Sequence, residues 1–131
     1  YMFAHAGFWH LALNMYTLWA FGPRLEHQWS SRGFTTFYLW SGLGGVLLHA
    51  LFVRDGAPLV GASAAVFGVL YAYARRWPED EVLFFGVVPM KVKWLVAFLV
   101  ALNLTMGALA AGQGATGGTA YVAHLGGLLF G

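Results

Sequence analysis

The residues that could do chemistry together are one hydroxyl, one imidazole and two hydrogen-bond donors, spread along the whole chain: Ser63, His124, His10 and Asn14. A serine hydroxyl is a poor nucleophile until a neighbouring base takes its proton, and histidine is the usual base near neutral pH. His10 and Asn14 stand four residues apart, which places them on one face of a helix. Both can donate hydrogen bonds, as a developing oxyanion requires. The alternative for each is a buried polar side chain satisfied by a neighbouring helix. His49 and His27 read as structural. Glu26, Asp55, Glu79, Asp80 and Glu81 fall in or next to loops, so neither a carboxylate relay nor a carboxylate metal site is expected. The chain has no cysteine, which excludes thiolate catalysis and disulfides. A Ser–His pair without an acidic third member is what the sequence permits.

The elements that must position these groups are membrane helices. The chain has 131 residues, 60% hydrophobic and 9% charged, whereas about a quarter of the residues of a soluble domain are charged. The reading is an all-α, polytopic transmembrane bundle forming one domain over residues 1–131, with no phosphate-binding loop and no nucleic-acid patch. Both ends fall where a longer protein would continue, the last one inside the apolar run Leu128-Leu129-Phe130-Gly131.

Residues 8–27 are long enough to span, and 24–32 read as a short loop. A second span covers about 33–53, followed by the turn Arg54-Asp55-Gly56-Ala57-Pro58. A helix from Ser63 to near Trp77 comes next, then a connection over 75–93 whose apolar patch, Val82 to Met90, is expected to lie at the interface. A further span runs from about Trp94 to Ala111. A Gly-rich flexible loop, Gly112 to Thr119, precedes a last segment starting near Ala120. Arg24, Arg32, Arg75, Arg76, Lys91 and Lys93 are six of the seven basic residues, and they lie in the loops at 24–32 and 75–93. The excess of positive charge puts those loops in the cytoplasm and Ser63 toward the outer face.

The segment Gly61-Ala62-Ser63-Ala64-Ala65-Val66-Phe67-Gly68 fixes the depth of the hydroxyl. A helix of about 15 residues spans about 22 Å, short of the roughly 30 Å hydrocarbon core. With Trp77 at one surface, Ser63 is sunk below the other, beside helix N-terminal N–H groups that lack intrahelical partners. Ala64, Gly68 and Ala72 form a small-residue stripe on this helix; Ala123, Gly127 and Gly131 form one around His124. Such faces let two membrane helices approach closely. If they meet, His124 comes beside Ser63; the alternative is plain helix packing with a snorkelling histidine.

Together these residues resemble the rhomboid family of intramembrane serine proteases. The motifs are His5-x4-His10-x3-Asn14, Gly22-x3-Glu26, Gly61-x-Ser63 and Ala123-His124-x-x-Gly127, and the resemblance spans the second to the sixth helix of a six-helix core. It implies that Ser63 is the nucleophile and His124 the general base of a dyad. It implies further that His10, Asn14 and the Ser63 backbone N–H form the oxyanion hole. His5, Gly61 and Gly127 would support the site, and Phe67 would place an aromatic ring against His124. Ala64 stands where the commonest family pattern has Gly.

The implied reaction is peptide hydrolysis within the transmembrane segments of single-span membrane proteins, without metal or cofactor. The implied location is a multi-pass place in a prokaryotic plasma membrane, with the site opening outward. The competing reading is a non-catalytic rhomboid-like protein that binds membrane proteins. An unrelated channel or transporter is disfavoured by the lack of intramembrane charges and inverted repeats.

Overall fold

The computed structural model describes residues 8–52, 62–84, 86–112 and 118–131. In chain order it contains α1 (Phe8–Phe52), α2 (Ser63–Arg76), the strands β1 (Glu81–Phe84) and β2 (Val88–Lys91), α3 (Val92–Gly112) and α4 (Gly118–Phe130). The Arg54–Pro58 turn and the centre of the Gly-rich stretch lie outside the described residues. So do His5 and Gly61.

The loop expected at 24–32 is replaced by a one-residue break. Helix α1 is helical up to Ser30, whose φ of 69° and ψ of 158° are foreign to a helix, and it resumes at once. Ser30 Oγ accepts from the Gly33 N–H at 3.4 Å, capping the second limb in the manner of an N-cap serine. The two limbs fold back on each other: a Cβ at Gly22 would lie 3.2 Å from the Phe34 ring. In one straight helix, residues twelve apart would be separated by about 18 Å along the axis.

A second difference is the connection between α2 and α3, where the chain is not helical. The patch expected at the interface is a two-stranded antiparallel hairpin pairing Val82 with Met90 and Phe84 with Val88. Gly86, at φ 73°, lies in its turn, a conformation that only glycine adopts without strain. Val82, Phe84 and Met90 lean on the core, while Leu83, Val87 and Val88 are exposed. Side chains on a strand alternate between faces, so Val82, Phe84, Val88 and Met90 share the face toward the bundle, and Glu81, Leu83, Pro89 and Lys91 share the outer one. The helices on either side of the Gly-rich stretch also run further into it than the sequence suggests, to Gly112 and from Gly118.

Helix α2 is central, in contact with both α1 and α4; α3 sits outside α4 and touches α2 only marginally. At 14 residues, or about 21 Å, α2 is as short as its sequence implies. Along it only Phe67, Tyr71, Arg75 and Arg76 escape full burial. The bundle is packed differently at its two ends. Toward the C-terminus of α2, Phe21, Leu25, Val69, Leu70, Tyr73, Leu95 and Val96 form a core of large side chains. Toward its N-terminus, backbones meet over small residues: a Cβ on Gly45 would fall 2.5 Å from that of Ala64, and one on Gly127 would strike the Ala64 carbonyl.

The exterior is apolar. Phe8, Trp9, Trp19, Leu51, Phe52, Trp94, Leu109 and Leu129 are among the large hydrophobics that face outward, while Asn14, Ser41, Ser63 and Asn103 are buried. That distribution suits a lipid surround. Phe8–Phe52 and Val92–Ala110 are each long and apolar enough to cross a bilayer.

The charged end is held by side chains. Arg24 pairs with Asp80, reaches the Tyr73 hydroxyl at 3.1 Å and lies 4.1 Å over the Trp77 ring. Glu79 accepts from Lys91 at 2.7 Å and also from Lys93, tying the turn after α2 to β2 and the start of α3.

Two measurements check this account. Gly127→Ala should lower resistance to unfolding in detergent by about 1–3 kcal/mol, because the added methyl meets backbone that cannot yield. Gly112→Ala, with nothing within 4 Å of the new methyl, should be neutral. The Glu79 tie should respond to acid. Lys91 and then Lys93 hold its carboxyl at about 2, below the usual 4.5. A depressed carboxyl stabilises the folded state above its unfolded value and loses that contribution as the pH falls. Protection factors of the hairpin amides, taken relative to the intrinsic exchange rate at each pH, should therefore fall between pH 4.5 and about 2, and Glu79→Gln should remove that pH dependence.

Candidate active site

The first turn of α2 begins at Ala62, and no side chain caps it. Ala62, Ser63, Ala64 and Ala65 are all buried, with Ser63 8% exposed. A helix start carries N–H groups without intrahelical acceptors and a partial positive charge, so an uncapped and buried one favours a developing anion beside it. The Ser63 hydroxyl shares this location.

Helix α4 delivers the imidazole. Gly126 and Gly127 let its backbone lie directly on Gly44, Gly45 and Ala64, closer than any residue with a Cβ permits. At that separation His124 Nε2 lies 2.7 Å from Ser63 Oγ. The small-residue stripes on α2 and α4 do meet, and the second limb of α1 completes the contact through Ser41, Gly44 and Gly45, which the sequence did not single out. Phe67, one turn after Ser63, stacks on His124 with centroids 4.5 Å apart and planes 10° from parallel.

On the other side of the ring is a residue that spacing alone had passed over. Asn103, 4% exposed on α3, has Oδ1 2.8 Å from His124 Nδ1, while its Nδ2 donates to the Tyr121 carbonyl at 2.9 Å. A lone asparagine in a long apolar helix is itself a signal, since burying an amide is costly unless both its halves are bonded.

The first limb of α1 brings His10 and Asn14. His10 is half-buried, one turn before Asn14 on the same limb. Asn14 is buried, and its amide donates to the His10 carbonyl at 2.9 Å, holding to its own helix. One N–H of that amide is left for another acceptor. Gly22 is buried against the second limb. No three His, Cys, Asp or Glu side chains gather into a metal-binding group among the described residues.

Comparison with known proteins adds the lineage: the Rhomboid domain model matches residues 1–131. The chain belongs to the rhomboid family. Its rhomboid relatives include Rhomboid protein 1, mitochondrial, of Saccharomyces cerevisiae, 34% identical over 98% of this chain and 38% of the relative. RHOMBOID-like protein 6, mitochondrial, of Arabidopsis thaliana is 35% identical over 99% of this chain and 39% of its own length. Rhomboid protease GluP of Bacillus subtilis is 30% identical over 97% of this chain and 23% of its own. The chain thus spans less than two-fifths of these relatives. No solved structure matches significantly. Mitochondrial and bacterial relatives stand side by side, so membership of the rhomboids supports a membrane protein and gives no support to the expected prokaryotic plasma membrane.

The ring stack gives a direct check on the geometry. An aromatic pair adds about 0.5–1.5 kcal/mol, worth up to about tenfold in a rate. Phe67→Ala should therefore slow the reaction of Ser63 with a fluorophosphonate by up to that factor, and Phe67→Tyr should leave it near wild type.

Proposed function

We propose that this rhomboid is a serine endopeptidase that cleaves the transmembrane segments of single-span membrane proteins. The observation that carries the reading is the 2.7 Å approach of His124 Nε2 to Ser63 Oγ at a buried helix start. In the proposed reaction His124 takes the hydroxyl proton as Ser63 Oγ attacks a peptide carbonyl. The oxyanion forms beside the α2 N-terminus, where the Ser63 backbone N–H, the spare N–H of Asn14 and His10 are the candidate donors. His124 then returns the proton to the leaving amine. A water, deprotonated by the same imidazole, attacks the acyl ester and releases Ser63.

A substrate helix must open locally before its carbonyl can reach Ser63, so segments with helix-breaking residues and a small residue at the cut are the favoured class. Positive charge at the Arg24 and Lys91 end orients the chain with Ser63 toward the outer leaflet. A non-catalytic binding role would need neither the hydroxyl nor the imidazole, and this chain has both in contact.

The test is cleavage of a single-span substrate by the intact protein in proteoliposomes. Ser63→Ala and His124→Ala should each lower the rate by about 10³-fold or more, as for other serine hydrolases stripped of nucleophile or base. A fluorophosphonate should label Ser63 alone. Variants that cleave like wild type, or a label on a different residue, would end the protease reading.

A further inference from the structure

We propose that Asn103 is the positioning residue of this site: it holds the His124 imidazole as the tautomer protonated on Nδ1, leaving the Nε2 lone pair to face Ser63. The consequence for catalysis rests on the protease reading above; the tautomer itself does not.

The Tyr121 carbonyl can only accept, so the half of the Asn103 amide 2.9 Å from it must be the NH2 group. Turning the amide over would set two oxygens against each other. The other half, 2.8 Å from His124 Nδ1, is therefore the carbonyl oxygen, which also can only accept. Nδ1 must then carry the proton. In a neutral imidazole this leaves Nε2 as the acceptor, and the group 2.7 Å from it is the Ser63 hydroxyl, free to donate. One backbone carbonyl thus sets the sense of every hydrogen bond from Tyr121 through Asn103 and His124 to Ser63.

The placement of Asn103 makes the chain of bonds firm. Its neighbours Leu102 and Leu104 point outward, and Thr105 is satisfied by the Ala101 carbonyl of its own helix. Asn103 alone turns its polar end to α4. One turn further on, a Cβ at Gly107 would sit 3.1 Å from Tyr121 Cβ, so the two helices are seated against each other at the point where the amide crosses. The ring is then fixed on three sides, with Asn103 and Ser63 on its two nitrogens and Phe67 across its face.

During acyl transfer Nε2 gains the serine proton and the imidazolium carries N–H on both nitrogens. Asn103 Oδ1 accepts from Nδ1–H before and after that step, so the bond survives the transfer. A neutral amide stabilises the cation less than a carboxylate would, and its main service is the correct tautomer and orientation.

The experiment is 15N NMR of the intact protein labelled at histidine, with the His124 signals assigned by their loss in His124→Gln. Wild type should show Nδ1 protonated and Nε2 bare at neutral pH. Asn103→Leu should give a mixture of tautomers. Asn103→Asp keeps an acceptor toward Nδ1 and, protonated on its other oxygen, a donor toward the Tyr121 carbonyl, so it should keep Nδ1 protonated, and it guards against a leucine variant that does not fold.

In the cleavage assay Asn103→Leu should lower kcat by about 10–100-fold with KM nearly unchanged, the range found when a metal-bound histidine loses its outer hydrogen-bond partner. Asn103→Asp should recover part of it. A wild-type His124 protonated on Nε2, or a tautomer and kcat unmoved by Asn103→Leu, overturns the proposal. A protein with the expected tautomers but no Ser63-dependent cleavage overturns the protease reading and leaves this one standing.

Discussion

A helix that starts in an apolar surround must be covered by protein at its first turn, and the packing around Ser63 follows from that requirement. No side chain caps the start of α2. What lies over it is the backbone of another helix, and backbone can come so near only where side chains are absent. Gly126, Gly127, Gly44 and Gly45 are at those points. The same closeness that shields the helix start brings an imidazole to a hydroxyl, so site and packing follow from one constraint.

The two ends of the bundle solve different problems. Around Ser63 there is no room for bulk, and cohesion comes from interlocking backbones. Around Tyr73 and Trp77 large rings fill the interior, and Arg24 closes the end by meeting a carboxylate, a phenol and an indole together. In lipid the hydrophobic effect contributes little between helices, so tight contacts and polar clasps must supply the cohesion. Exposed ion pairs such as Lys91–Glu79 add modestly and serve chiefly to set the direction of the chain between α2 and α3.

Much of this could be read from residue order, for definite reasons. The start of α2 was legible because a helix too short to span must have a sunken end. The approach of α4 was legible because small residues recur every fourth position on both helices. The break in α1 was not: charges and paired serines around Ser30 look like a loop, and only the observed Ser30–Gly33 bond shows that one serine ends a helix and starts another. The hairpin was missed because four-residue strands carry too little alternation to stand out, and Pro89 argues against a strand. Asn103 was missed for a further reason. Its partners lie on a different helix, 18 and 21 positions away, so no spacing rule within one element could connect them.

The near-parallel stack of Phe67 on His124 has a directional consequence. A ring covered on one face and held at both nitrogens can rock within its own plane but cannot turn over. In the proposed reaction, the proton accepted from Ser63 must therefore be handed on by the same nitrogen along a narrow arc. A substrate whose leaving nitrogen arrives off that arc would be bound but not cut, so the selectivity of such a site would lie in the angle at which the chain enters as much as in the residues it carries.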